Sequence, residues 1–539
     1  MHPRYNRSLF CFYVEFFVLN VYQLAPHECP EDFIDARIRD LLASLRTTDV
    51  CAANHLDIST IDTPVKSIGR VDQFLSSGQA EDCFAIVFGH EAYYCDPIKN
   101  ISLVAVVAIS CLASMDDVVI EASVMPYSAI DIQALTAISA RRLTLFDYAA
   151  QKSWSWINFS VPLLLEPVFI PKSWGQEIWY TGIEQRGCAS IRIQDQIVPL
   201  PWLLSFLPNR LAAGNARGLT LLKVLDPLPD EVFGDLYFEM HTSKEEVYLV
   251  TDIDAGAWPS GRGGIQLGFC PRKRAEFGND QLFKTDYLCA VNAYKEVRIA
   301  LDVLMDKLRH TEGIDLYAPV SALQQQSWLA VIAQDSTHKE LLLREQQLRQ
   351  YMYSFIAMQP LQRGDVVKIP CHVPHALQHG VRTVEFQNQS YERQILSFAQ
   401  KVLTQSHWDT ELALESIILD APVQELFQLL RDEAGVKIER VASFELFEVR
   451  RISAVENSVL QLNTDSYQLL MVIHGSISFV MSEQLGLYRE GNAENSFSAG
   501  QAMLLPAGSG ILSFNIEVEC LLLLALPSAL AKHQLKAEI

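Results

Sequence analysis

Gly234-Asp-Leu-Tyr-Phe-Glu239-Met-His241-Thr-Ser-Lys244-Glu245-Glu246-Val-Tyr248-Leu-Val250 and, much later in the chain, Gly364-Asp-Val-Val-Lys-Ile-Pro370-Cys-His372-Val-Pro374-His375 are the two stretches that decide the fold. On a strand, residues i and i+2 project from the same face, so Glu239 and His241 point together. Glu245 opens the next strand after a short gap and can return to the same point. In the second stretch a Gly-Asp turn leads into a strand ending at Pro370, and a tight corner then delivers His375. Two imidazoles and one or two carboxylates converging from separate strands suit a first-row divalent metal with an open position. Taken singly, each stretch is ordinary: a Glu-x-His or a His-Val-Pro-His is more often solvated or hydrogen-bonded than metal-bound.

Around these stretches the texture alternates between short β-branched or aromatic runs and longer helical ones. Val161 to Ile170, Ile178 to Tyr180, Ala189 to Ile193, Glu246 to Thr251 and Ile265 to Phe269 read as strands bounded by Gly, Pro, Asn and Asp. Tyr287 to His310 and Ser321 to Phe355 carry helical spacing, with Leu341, Leu348, Met352 and Phe355 on one face. Strands return at Asp365 to Ile369 and Thr383 to Phe386, followed by a helical linker and a strand-rich block with turns at His474-Gly475 and Ser498-Ala499-Gly500. The expected organisation is an N-terminal α/β region of unclear fold (1–155), a metal-binding β domain (156–281 and 361–411), a helical insertion (282–360), a helical linker (412–435) and a second β domain (436–539). Residues 1–155 hold no phosphate loop, dinucleotide fingerprint or catalytic triad spacing; Met115 and Met125 are alternative starts that would account for that.

Composition narrows the function. The chain has 539 residues, too many for one hydrophobic core, so roughly two to four domains are expected. Apolar residues at 49% and charged residues at 20% exclude a disordered or coiled-coil chain. With 43 basic and 64 acidic residues the net charge is −21, which opposes binding to nucleic acid or an anionic membrane. The 11 Cys form no CxxC pair, pointing to free thiols in a reducing, cytoplasmic setting. Leu9 to Ala25 is interrupted by Glu15 and Asn20, and Ile101 to Ala113, about thirteen residues, falls short of the roughly 20 that a spanning helix needs, so it reads as a buried strand or core helix.

Together and in this order, the two stretches resemble the halves of the cupin signature, Gly-x5-His-x-His-x3-4-Glu and Gly-x5-Pro-x-Gly-x2-His. Glu239 stands where the first half usually has His, and His372 where the second usually has Gly. Gly500-Gln-Ala-Met-Leu-Leu-Pro506-Ala-Gly508-Ser-Gly-Ile511 repeats the second half with Ile511 in the His position. The resemblance therefore implies a mainly β protein of two jelly-roll (cupin) barrels, the second without metal ligands and with His474 as a turn residue.

A live barrel, a helical insertion and a dead barrel resemble type I phosphomannose isomerase over about residues 165 to 530. Pro167-Val-Phe-Ile-Pro171-Lys-Ser-Trp174-Gly175, Glu177-Ile-Trp179, Lys244-Glu245-Glu246-Val-Tyr248, Ile265-Gln-Leu-Gly268-Phe269 and Val384-Glu385-Phe-Gln387-Asn-Gln-Ser390 are each similar to strands of that family. The resemblance implies zinc held by His241, Glu245 and His375, with Glu239 in place of a family Gln. That exchange lowers the net site charge from about +1 to about 0 and makes another divalent metal plausible. It also implies interconversion of mannose 6-phosphate and fructose 6-phosphate, with Arg393 meeting the phosphorylated sugar ahead of Lys172 or Lys244, and Glu385 in a hydrogen-bonding or base role. Arg393 lies closer to Ser390 than the family's Arg does, and Arg272-Lys273-Arg274 reads as a solvated loop. Alternatives from other classes are a metal-binding cupin that senses a sugar or sugar phosphate, and a cupin oxygenase or epimerase.

Overall fold

The computed structural model describes residues 56–58, 83–91, 102–111, 118–126, 131–139, 142–184, 187–193, 196–206, 208–212, 218–424, 426–480 and 496–528. The protein is mainly β, as expected. Its residues fall in two compact units, one drawn from Met1–Val168, Tyr180–Thr220 and Phe427–Ile539, the other from Phe169–Trp179 and Leu221–Leu426.

The second unit carries both deciding stretches on two sheets. The larger has six strands in the order Val366–Ile369, Glu246–Ile253, Val381–Gln387, Leu221–Pro227, Gly175–Trp179 and Val168–Lys172. The smaller runs Ile356–Leu361, Gly263–Phe269, His375–Leu377, Phe238–Met240 and Gln394–Ser397. Tyr248, Val250 and Val367 from the first sheet and Ile265, Leu267 and Ile395 from the second form one buried core cluster, so the two layers share their inner faces. Gly268 sits at φ +67, and a Cβ there would meet the backbone nitrogen of Ala421 at 2.9 Å, so only glycine fits this crossing.

Helices Asp280–Thr311, Ala322–Ile332 and Ser336–Tyr353 form the expected insertion between the strands Gly263–Phe269 and Ile356–Leu361. Phe283, Tyr287, Val291 and Tyr294 pack with Met352 and Phe355 over Phe238 and Phe269 of the smaller sheet. The helical run expected from Ser321 to Phe355 is broken before Ser336. Asp335 accepts hydrogen bonds from the amides of Thr337 (2.9 Å) and His338 (3.0 Å), the cap that starts a second helix.

Among the described residues of 412–435, a stretch expected to be helical, the helix is confined to Thr410–Ser416, and the strand Gln428–Glu433 follows. That strand turns through Ala434 (φ 51) and Gly435 (φ 77) into Val436–Ser443, with Glu433 opposite Val436. Two consecutive positive φ values make the two-residue hairpin turn of the I′ class, which Ala434 conceals in the sequence.

In the first unit, Gln428–Glu433, Val436–Ser443, Phe447–Ala454, Ile511–Pro527, Gln468–Val480 and Ala502–Leu505 build a large sheet. Leu163–Glu166, Ser190–Ile193 and Gln196–Pro199, which the sequence grouped with the metal-bearing block, extend this sheet, with Leu164 opposite Met503. His474 is exposed and lies in a register irregularity within the strand Gln468–Val480, not in the turn expected of it. Ile511 is also exposed, 66%.

A further sheet of the same unit begins with Leu56–Ile58 parallel to Cys83–Glu91 and continues antiparallel through Ser102–Cys111, Val118–Pro126 and Ser155–Asn158. The apolar run beginning at Ile101 is therefore a strand of this sheet; the run from Leu9 to Ala25 and Met115 lie outside the described residues. Among the described residues no helix is long and apolar enough to cross a membrane.

Glu121 is buried in this sheet and accepts a hydrogen bond from Trp156 Nε1 at 2.8 Å. Burial pushes its carboxyl up to about 7, against the opposing pull of that hydrogen bond. The folded value lies above the unfolded one, so the stability contributed by the neutral acid is complete below the ordinary carboxyl range and is lost as pH rises through about 7. The loss is on the order of 3 kcal/mol. Melting temperatures compared at mildly acidic and mildly alkaline pH should therefore fall for the native chain and stay nearly level for Glu121→Gln, which keeps the acceptor without the charge. Parallel declines in both proteins would remove Glu121 as the cause.

Candidate metal centre

The strand Phe238–Met240 carries Glu239 and delivers His241 just beyond its end. His375 opens the neighbouring strand and stands directly opposite Glu239 in the register. Glu246 opens Glu246–Ile253 of the facing sheet. These placements bring His241, Glu246 and His375, all buried, into a cluster whose ligand atoms lie within 4.8 Å of one another, the one group of its kind among the described residues. His375 Nε2 is 2.9 Å from Glu246 Oε2, and His241 Nε2 is 3.6 Å from the same oxygen. Glu239 stands at the rim, its Oε1 3.7 Å from His241 Nε2.

Glu245, the carboxylate expected in the cluster, is displaced by its neighbour. Alternation along the strand puts Lys244, Glu246 and Tyr248 on one side, so Lys244 Nζ lies 2.5 Å from Glu246 Oε1 and Tyr248 donates to Glu246 Oε2 at 3.2 Å. Glu245 is half-buried, and its backbone amide donates to Asn388 Oδ1 at 3.3 Å. The signal was legible in the spacing of Lys244-x-Glu246-x-Tyr248.

The ring orientations test whether a metal fits. His241 Nδ1 is 2.9 Å from the Glu392 carbonyl and His375 Nδ1 is 3.1 Å from the Val373 carbonyl. A carbonyl only accepts, so each Nδ1 carries a hydrogen, and a ring with no second proton turns its Nε2 lone pair inward. Both Nε2 atoms are buried without a donor to satisfy them. Burial, with Lys244 adding to it, holds His241 well below the ordinary imidazole range and so favours the neutral ring. A lone pair facing a carboxylate oxygen at 2.9 Å is repulsive unless a cation lies between them. Two neutral imidazoles and a carboxylate are the donor set of a first-row divalent ion.

The surrounding loop locks this geometry. Glu392 Oε1 accepts from the amides of Thr242 (2.5 Å) and Ser243 (2.7 Å), and Asn388 Nδ2 donates to the Ser243 carbonyl at 2.8 Å. His372 adopts φ +66 where the signature has Gly, held by its amide donating to the His241 carbonyl at 2.7 Å and its carbonyl accepting from Ile418. Its ring meets Ser416 Oγ at 3.2 Å, away from the ligand set.

Behind the cluster, Glu385 stands opposite Tyr248 and Lys223 in the sheet, fully buried, with Lys223 Nζ 3.2 Å from its Oε2. Burial raises its carboxyl well above the usual range, and the charge of Glu246 adds to this against Lys223. Lys172 pairs with Glu177 at 3.2 Å. Arg393 reaches the rim, its Nη1 3.8 Å from Glu239 Oε2, its Nη2 donating to Thr404 Oγ1 at 2.5 Å and its guanidinium over the Tyr237 ring. Arg274 of the Arg272-Lys273-Arg274 run pairs with Asp280 and Asp420.

Metal titration of the apo-chain by calorimetry should separate the two glutamates. Glu246→Gln should weaken divalent-ion binding by more than about 100-fold, beyond the 10–100-fold typical of residues that merely support ligands. Glu245→Gln and His372→Gly should each bind within about threefold of the native chain. Equal losses in Glu245→Gln would overturn the assignment.

No known family profile matches the chain, and no curated protein is detectably similar to it. Among solved structures it is similar to the mannose 6-phosphate isomerase of Bacillus subtilis, with 14% identity, a TM-score of 0.45, and coverage of 68% of this chain and 99% of the other. It is also similar to the mannose 6-phosphate isomerase of Salmonella typhimurium bound to fructose 6-phosphate and zinc, with 12% identity, a TM-score of 0.42, and coverage of 68% and 99%.

Proposed function

We propose that the chain is a divalent-metal-dependent aldose–ketose isomerase of a small phosphorylated sugar, with mannose 6-phosphate and fructose 6-phosphate as the pair and zinc as the first metal to test. The observation that carries this reading is Arg393, whose guanidinium stands 3.8 Å from Glu239 at the rim of the histidine cluster. The sequence resemblance calls for a fixed cation there, and an oxygenase pocket has no such requirement.

His241, Glu246 and His375 would hold the metal, with Glu239 as the fourth ligand. When bound, the ion would polarise sugar oxygens and stabilise charge on the enediolate formed during proton transfer. The chain's own charges complement such a substrate. Lys172, Lys223, Lys244 and Arg393 offset Glu177, Glu239 and Glu246, with Glu385 driven toward the neutral acid, so a divalent ion leaves a net positive site for a phosphate dianion. Arg393 has a planar guanidinium able to take two phosphate oxygens at once. The complete burial of Glu385 favours a hydrogen-bonding role behind Glu246 over that of a base in contact with sugar.

Turnover of mannose 6-phosphate by the metal-stripped chain, reloaded in turn with zinc, manganese, nickel or iron(II), tests the reading. Metal-dependent turnover that vanishes in His375→Ala is the expected result. Arg393→Ala should lower kcat/KM by roughly 10–100-fold, the worth of one charge-assisted contact, while metal content stays unchanged. Silence with every ion, in a chain that still binds metal through His375, would replace the isomerase by a sugar-phosphate sensor.

A further inference from the structure

Between the helical insertion and the loops of the metal-bearing unit lies a cavity of about 180 Å³ that shares no lining residue with the histidine cluster. Its roof comes from Asp280–Thr311, Ala322–Ile332 and Ser336–Tyr353; its floor comes from Val232, Phe233 and the segment after the strand Gln394–Ser397. The volume is below the roughly 300–1,000 Å³ of sites for drug-sized ligands, so any occupant is small.

The cations of the wall are already engaged. Arg298 binds Asp302 Oδ1 at 2.6 Å, Lys401 binds Asp306 at 2.7 Å, Arg349 binds Glu345 at 3.1 Å, and Arg309 donates to the carbonyls of Asp315, Leu316 and Ala318. A phosphate would find its binding charge spent, and a metal ion would find its carboxylates neutralised.

What remains unsatisfied is hydrogen-bonding capacity, with the wall's charges already paired. Gln325 is 5% exposed, and its Nε2 has no acceptor. Gln400 is 4% exposed; its Nε2 donates to the carbonyls of Val232 (2.9 Å) and Phe233 (2.8 Å), which fixes its Oε1 as an acceptor without a donor. Asp306 Oδ1 is a second such acceptor. A buried donor or acceptor left without a partner is costly, because it has given up its water for nothing. Val232 sits at φ +69, where a β-branched residue is strained, and its carbonyl is one of the two that orient Gln400. Leu301, Met305 and Leu329 supply an apolar side.

We propose that this cavity binds one neutral polyhydroxylated molecule, of the monosaccharide or polyol class. Each hydroxyl both donates and accepts, which serves the Gln325 amide and the Gln400 and Asp306 oxygens at once, while the C–H face of the molecule lies on the leucines. The site is separate from the metal centre, and its occupant need carry no phosphate.

Calorimetric and saturation-transfer NMR titrations of the full, metal-loaded chain test this with D-glucose, D-mannose, myo-inositol and glycerol as probes and inorganic phosphate as the anionic control. Saturable binding of at least one neutral probe, not displaced by phosphate, is expected. Gln325→Leu should weaken that binding at least about tenfold, and Leu329→Trp, which fills the cavity, should abolish it with metal content and melting temperature retained. The proposal is overturned if no probe saturates, if both variants bind as the native chain does, or if probe-soaked crystals show only ordered water in the cavity. Binding that vanishes in His375→Ala but survives Leu329→Trp would place the sugar on the metal centre and overturn it as well.

Discussion

A carboxylate cut off from water, Glu246, is the group on which the histidine cluster depends. Burial alone would raise its pKa, but the Lys244 ammonium 2.5 Å away holds it well below the usual range. Glu385, equally buried behind it, is pushed the other way. The two neighbouring carboxyls are driven apart in this manner, Glu246 toward the anion and Glu385 toward the neutral acid. An anion there lets two neutral imidazoles face a common point with their lone pairs inward, which is the arrangement a divalent cation requires.

The same sheet carries further buried charges, and the antiparallel register explains why they meet. Lys223 is opposite Glu385 on one neighbouring strand and Trp179 on the other. Trp179 Nε1 donates to Glu177 Oε2 at 2.7 Å, and Lys172 lies 3.2 Å from the same oxygen. Burial would raise Glu177, yet Lys172 and Lys223 hold its carboxyl at about 2. Pairs of this kind add little net stability, but losing one partner strands the other and costs about 3–5 kcal/mol. The inner face of this sheet is thus specified in charge as tightly as a hydrophobic core is in shape.

How much of this was legible in the residues differs from element to element. Strand alternation disclosed Glu239 and His241, and the Gly-Asp turn followed by Pro370 disclosed His375. Adjacent glutamates defeated the same logic one step later, because the first residue of a strand has no preceding partner to set its phase. Lys244 and Tyr248, two positions either side of Glu246, carried the phase all the same. Ala434-Gly435 hid a hairpin because alanine is a helix former and only the paired strands force it to positive φ. The break before Ser336 was marked by Asp335, a good cap overlooked within a long helical run.

The class of the protein, mainly β with a helical insertion, and the two imidazoles of the cluster follow from the residues alone, since period and turn chemistry are local properties. The residues also disclose the departure of Glu239 from the pattern they resemble. Which glutamate faces the histidines, the reach of Arg393 to Glu239, and the pairing of Leu163–Glu166 with the C-terminal sheet come from the folded chain. Each of these depends on which strands become neighbours. That choice is made by the pairing and burial of the whole chain, and no local window of residues contains it.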